Sequence, residues 1–94
     1  MNYILMNRKP VHEPDLSKWG EWFEDLDNRR VAKTVIGDQT VYTTFLGIDH
    51  AFGGGTPVLF ETMVFPECDE WERYCTWEEA EVGHRAMVNK LLAQ

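Results

Sequence analysis

The sequence predicts a single α+β domain over residues 1–94, in which a mostly antiparallel sheet packs with two helices. Two segments, at residues 16–26 and from residue 77 onward, place apolar residues at the three- and four-residue intervals of a helix. A short apolar run at residues 3–6 precedes them. Segments rich in β-branched and aromatic residues predict three longer strands, at residues 31–36, 40–46 and 58–65. The predicted order is therefore β-α-β-β-β-α.

The longer strands are separated by turn-forming residues. Gly37-Asp38 favours a tight hairpin, so the strands on either side of it should be adjacent and antiparallel. The strand at residues 58–65 is apolar at both alternating sets of positions. A sheet that is apolar on both faces suggests cover by a second subunit or a partner, and a homodimer is the expected oligomer. Residues 73–75 are expected to add a short extension.

Both helices have recognisable starts. Asp15 can cap the first helix, whose apolar face is predicted to contain Leu16, Trp19, Trp22, Phe23 and Leu26. Thr76 and Glu79 have the spacing of a capping box, in which each side chain satisfies a backbone N–H group at the helix start. The second helix should run from about Trp77 to the end of the chain.

The charge distribution excludes some classes of function. Sixteen acidic residues against nine basic ones give a net charge of -7, the reverse of the positive surface that a nucleic-acid-binding protein requires. Cys68 and Cys75 lack the Cys-x-x-Cys spacing of zinc and redox sites, and reduced thiols are expected. We find neither a signal-peptide pattern nor a run of apolar residues long enough to span a bilayer, so a cytoplasmic protein without membrane contact is expected.

A glycine-rich loop, GIDHAFGGGTP at residues 47–57, raises the question of phosphate binding. A phosphate-binding loop requires a lysine and a following helix, whereas this loop leads through Thr56-Pro57 into a strand. A flexible connection between strands is the favoured interpretation. Asp49-His50 could supply a base or a ligand, although Asp49 could equally accept backbone N–H bonds in the turn.

Four residues are weak candidates for catalysis: Asp49, His50, Glu61 and His84. We expect no metal site. The alternative is a site that combines His50, Glu61 and His84, although their spacing matches no metal motif. No cofactor is expected. Glu61 has a structural alternative, an ion pair with Lys33 or an arginine across the sheet. His84 has one too, a hydrogen-bonded histidine in the core.

An acidic segment near the second helix contains large aromatic residues. Such a surface could bind a basic region of a partner protein, because Trp and Tyr dominate interface energetics. A solvated helix start with structural aromatic residues is the competing interpretation. The candidate contact residues are Trp71, Glu72, Tyr74, Trp77, Glu78 and Glu81.

The string FLGIDHAFGGGTPVLFETMVF at residues 45–65, followed by RYCTWEEA and then Gly83-His84, resembles a family of small phage and prophage proteins of uncharacterised function. Their pattern is of the type FLGLDHxFGxGxPxLFETMVF followed by RYxTWxEAxxGH, and the resemblance covers about residues 30 to 86. Cys75 stands where that pattern has serine, which argues against a chemical role for this thiol. The resemblance implies a phage accessory gene and brings no catalytic mechanism.

Three hypotheses follow from these observations. The first is a phage-type accessory protein that binds a host protein, such as a defence or nucleic-acid-processing factor, in the host cytoplasm. The second is a small metal-dependent or acid–base enzyme that uses His50, Glu61 and His84. The third is a homo-oligomeric virion or assembly component. We expect binding rather than catalysis.

Overall fold

The computed structural model confirms the α+β class and, among the residues that it describes, shows two antiparallel sheets with three helices. It describes residues 1–51 and 53–94, so Phe52, within the segment of resemblance, lies outside the described residues. In chain order the elements are β1 Tyr3–Met6, β2 Lys9–His12, α1 Leu16–Glu24, α2 Leu26–Arg29, β3 Arg30–Ile36, β4 Gln39–Phe45, β5 Phe60–Phe65, β6 Trp71–Tyr74 and α3 Trp77–Leu92.

The first strand does not join the larger sheet, although a single sheet was expected. β1 forms a separate two-stranded sheet with β2. Asn7 and Arg8 both adopt positive φ angles, 52° and 68°, so the chain reverses tightly between these strands. Pro10 lies opposite Leu5 in this small sheet. Proline has no N–H group to donate within a sheet, and a sheet of two edge strands accepts it.

The first predicted helix is interrupted. Asp25 has an extended backbone, with φ −79° and ψ 108°, and its carboxylate accepts a hydrogen bond from the Asp27 N–H group. This side chain therefore caps a new short helix, α2, instead of continuing α1. Within the described residues, no helix is both long and apolar enough to cross a membrane.

The larger sheet has the strand order β3-β4-β5-β6, and α3 packs against all four strands. Gly37 and Asp38 form the predicted two-residue connection, because Ile36 pairs with Gln39. β6 extends the sheet beyond the three longer strands, pairing Glu61 with Arg73 and Met63 with Trp71. Because side chains alternate between faces, β4 and β5 each present one set toward α3 and the other set away from it.

The face toward α3 forms the core in three layers. One apolar cluster contains Val41, Val64, Met87 and Leu91, and another contains Phe45, Leu59, Phe60 and Ala80. Between them, at the intermediate positions of β4, β5 and α3, lie the buried polar side chains Thr43, Thr62 and His84.

The small sheet and α1 close one end of the core. Trp22 of α1 contacts the Phe45 ring edge-on, with ring centroids 5.7 Å apart. The Trp19 indole donates to the Tyr3 carbonyl at 3.0 Å, and the Tyr3 N–H group donates to the Gly47 carbonyl at 2.7 Å. Gly47 has a φ of 76°, and a β-carbon there would overlap the Phe23 ring, so this position requires glycine.

Candidate functional site

His84 belongs to a buried hydrogen-bond network. Its Nδ1 lies 2.7 Å from the Thr43 hydroxyl and its Nε2 lies 2.8 Å from the Thr34 hydroxyl. Thr43 continues the network to Thr62 at 2.6 Å, and the Tyr74 hydroxyl donates to Thr62 at 3.1 Å. Burial lowers the pKa of His84 below its ordinary value of 6.5, which favours the neutral imidazole. Both ring nitrogens are therefore used in fastening α3 to the sheet.

Asp49 organises the loop that follows β4. Its carboxylate accepts hydrogen bonds from the N–H groups of Ala51 at 2.7 Å and Val58 at 2.9 Å. These two bonds lower the pKa of Asp49 below its ordinary value of 3.8, since they stabilise the charged form. The His50 Nδ1 donates to the Ile48 carbonyl at 2.7 Å. Asp49 thus holds the two ends of the glycine-rich loop together.

Glu61 and His84 do not share a site. Glu61 points away from α3 and forms an ion pair with Arg73, with 3.0 Å between Oε2 and Nε. His84 lies on the other side of the sheet, between the strands and α3. In the part of the chain that the structure describes, no three His, Cys, Asp or Glu residues are grouped so that they could hold a metal ion. The combined site considered for His50, Glu61 and His84 is therefore not formed.

The face of the larger sheet opposite α3 presents a mixed aromatic and charged surface, which we call the outer sheet face. Several of its apolar side chains are exposed, including Val35 at 62%, Phe65 at 40% and Trp71 at 51%. By register and alternation, the outer sheet face comprises Lys33, Val35, Thr40, Tyr42, Thr44, Glu61, Met63, Phe65, Trp71 and Arg73.

Contacts across the strands order this surface. The Tyr42 and Phe65 rings meet edge-on at 5.8 Å, and the Lys33 ammonium lies 5.4 Å from the centre of the Tyr42 ring. The Arg73 guanidinium lies 4.8 Å from the Trp71 ring centre while it also binds Glu61. A hollow of about 280 Å³ opens between these groups, lined by Tyr42, Thr44, Glu61, Met63 and Phe65.

The six predicted contact residues do not form one surface. Trp71 lies on the outer sheet face, whereas Tyr74 is half-buried and bonds to Thr62 in the core network. Trp77 is also half-buried, with its ring 6.3 Å from the Phe60 ring. Glu72 is exposed on β6, and Glu78 and Glu81 are exposed on α3, on the other side of the sheet. Two of the three aromatic residues are thus mainly structural.

Sequence reasoning missed part of the outer sheet face. Alternation along residues 58–65 groups Leu59, Glu61, Met63 and Phe65, but Leu59 is buried in the core. The set was not joined to Tyr42 and Arg73. The alternation within residues 39–45 would have placed Tyr42 and Thr44 on one face. Their position beside Met63 and Glu61 depends on strand register, for which the sequence has no direct signal.

Taken together, the fold and its surfaces define a class: a small α+β domain with one helix across one face of a four-stranded antiparallel sheet and an aromatic outer face. No protein-family model matches the chain, and neither the curated proteins nor the solved structures contain a significant match.

Proposed function

We propose that the chain is a small binding protein that contacts a protein partner through the outer sheet face. One observation carries the proposal: this face combines exposed aromatic side chains with a hollow of about 280 Å³. That volume suits one large apolar side chain of a partner. Interfaces commonly gain most of their affinity from a few such anchors, surrounded by residues that exclude water.

The polar groups of the outer sheet face can orient a bound partner. Glu61 and Arg73 lie at the edge of the hollow, already paired, so a partner need not leave either charge without a counter-charge. Lys33 adds a cation at the opposite edge. The face therefore carries more basic than acidic groups, although the whole chain has a net charge of -7. A partner surface with an apolar anchor and a weakly acidic rim fits this arrangement.

The biological setting is part of the proposal. The resemblance of residues 30–86 to phage proteins supports a phage accessory role, with a host protein as the partner. In the part of the chain that the structure describes, no geometry favours the enzyme alternative, since Asp49 is bonded to backbone groups and His84 is buried among threonines.

Substitutions within the outer sheet face test this function. We expect Phe65→Ser to reduce recovery of a stoichiometric partner from host lysate by at least about tenfold, since losing a central anchor costs more than about 1.4 kcal/mol. Trp71→Ser should have a similar effect. Affinity purification with quantitative mass spectrometry measures the recovery of each partner.

Leu92→Ser is the matched control for this experiment. Leu92 is 64% exposed at the end of α3, on the helix side of the molecule, so this variant removes a comparable apolar group without touching the outer sheet face. Its recovery of the partner should equal that of the unmodified chain. Equal recovery by Phe65→Ser and Trp71→Ser, with unchanged thermal unfolding, would rule out the outer sheet face.

A further inference from the structure

A second surface lies between β6 and α3. β6 is at the end of the strand order, so one of its two edges is not paired within the sheet. Beside it runs a groove of about 580 Å³ whose wall is mainly apolar. The groove is lined by the end of β6 and the first turns of α3, namely Arg73, Tyr74, Cys75, Glu78, Glu79, Val82 and Gly83.

The backbone of β6 offers hydrogen-bonding groups toward this groove. The Val64 N–H group donates to the Glu70 carbonyl at 3.2 Å, and the Leu59 N–H group donates to the Tyr74 carbonyl at 3.1 Å. Backbone groups of a strand alternate between its two edges. Since Glu70 and Tyr74 face β5, the N–H and C=O groups of Trp71 and Arg73 face the free edge.

Glycine determines the depth of the groove. A β-carbon at Gly83 would overlap the Tyr74 hydroxyl and ring, so glycine lets Tyr74 pack directly against α3. Tyr74 and the exposed Val82 then form an apolar wall next to the free edge of β6. The strand edge and the apolar wall are therefore presented side by side, as required for binding of an extended peptide.

The charges around the groove are predominantly acidic. Two acidic residues, Glu78 and Glu79, line the groove, and Glu72 is exposed beside it on β6. The basic residue among the lining groups, Arg73, is already paired with Glu61 on the outer sheet face. The unpaired strand edge thus faces an electronegative environment.

We propose that this groove binds an extended basic peptide segment, which adds to β6 as a fifth strand of the sheet. An apolar side chain of the peptide occupies the pocket beside Tyr74 and Val82. Lysine or arginine side chains flanking it meet Glu72 and Glu78. The β6–α3 groove shares Arg73 with the outer sheet face, but its apolar wall and its acidic residues are not part of that face, so the inference does not depend on the proposed function.

Selection from a random nonapeptide library against the whole chain tests the proposal. We expect the selected peptides to be basic and to contain an apolar residue flanked by lysine or arginine. N-methylation of alternate backbone amides in such a peptide should abolish binding, because it removes the donors needed for strand addition. Amide shifts in NMR spectra should concentrate at residues 71–75 and 78–83.

Two matched variants assign the charge contribution. Glu72→Gln combined with Glu78→Gln should weaken binding of a selected basic peptide about tenfold, since two exposed ion pairs are lost. The control combines Glu21→Gln with Glu24→Gln on α1. It changes the net charge by the same amount as the first pair and should leave the affinity for the peptide unchanged. Phe65→Ser should also leave it unchanged, which separates this surface from the outer sheet face.

Three results would overturn the proposal. The library could yield no peptide that binds, or peptides without net positive charge. N-methylation could leave binding unaffected, which would exclude addition to β6. The two glutamine double variants could weaken binding equally, which would show a general effect of net charge instead of contacts in the groove.

Discussion

At the residue scale, His84 combines a polar side chain with a position in the centre of the core. It is 7% exposed, and its partners Thr34 and Thr43 come from two different strands. A neutral imidazole has one donor and one acceptor nitrogen, and threonine hydroxyls can serve either, so both nitrogens are satisfied. A protonated imidazole would place a positive charge among hydroxyls and apolar groups, at a considerable cost in free energy.

The free energy of unfolding should therefore depend on pH through His84. Burial lowers the pKa of His84 in the folded chain below the unfolded value of 6.5. Below pH 6.5 the unfolded chain binds more protons than the folded chain. The free energy of unfolding must therefore fall as the pH decreases toward the folded-state pKa of His84. We expect the urea midpoint, followed by tryptophan fluorescence, to be constant above about pH 7.5 and to decrease between about pH 6.5 and 5.

His50→Gln is the control for this titration, because His50 lies on the loop with its Nδ1 bonded to the Ile48 carbonyl. It should retain the pH dependence, whereas His84→Gln should flatten it while lowering the stability at pH 8. Asp49 also has a lowered pKa, but its contribution is lost only below its unfolded value of 3.8. A flat profile for the unmodified chain between pH 8 and 5 would contradict this role of His84.

At the element scale, replacing two helical glycines by alanine should change the stability in opposite directions. Gly20 in α1 has open space around it, whereas a β-carbon at Gly83 in α3 would overlap Tyr74. Gly20→Ala should stabilise the chain by about 0.5–1 kcal/mol, because alanine has the higher helix propensity. Gly83→Ala should destabilise it by about 1–3 kcal/mol, since Tyr74 must leave its packed position. Thermal and urea unfolding measure both changes.

The same pair provides its own control, because the two substitutions add one methyl group each to a helix. If both substitutions stabilised the chain, Tyr74 would be able to move without a cost in stability. Its contact with Gly83 would then not be important for the fold. A change in the chemical environment of Thr62 in Gly83→Ala alone would trace the effect through the Tyr74 hydroxyl, which donates to Thr62.

Elements with local signals were predictable from the sequence. The α3 capping box is present, with reciprocal bonds between Thr76 and Glu79, and the Gly37-Asp38 hairpin joins β3 to β4. β2 was not predicted, because proline, here Pro10, is uncommon within strands and positive φ angles at Asn7 and Arg8 have only a weak sequence signature. The break at Asp25 was missed because the apolar periodicity continues through Leu26.

The candidate sites were less predictable, since they depend on contacts between distant segments. An ion pair of Glu61 with Lys33 or an arginine across the sheet was one of its two interpretations, and the structure pairs Glu61 with Arg73. His84 was considered as a core histidine, but its threonine partners lie 41 and 50 residues away in the chain. Their identity depends on how α3 crosses the sheet, which no local pattern specifies.

At the scale of the whole molecule, the two apolar surfaces carry different charges. Glu78 and Glu79 line the β6–α3 groove, whereas the outer sheet face carries Lys33, Arg73 and Glu61. Two copies of a chain with net charge -7 repel each other, and they approach most easily where the local charge is not acidic. The dimer expected from the sequence would therefore form through the outer sheet face.

Such a dimer should be weak. The outer sheet face has fewer side chains than the roughly 20–30 per partner of a standard interface, so we expect a dissociation constant of about 10 µM to 1 mM.

Salt should strengthen the dimer, because it screens the repulsion between acidic chains. Sedimentation equilibrium across this concentration range measures the dissociation constant. Trp71→Ser should weaken association, whereas Leu92→Ser should not. A dimer weakened by salt, or one insensitive to Trp71→Ser, would place self-association on another surface. A host partner and a second copy would compete for the outer sheet face, so saturating concentrations of the partner should dissociate the dimer.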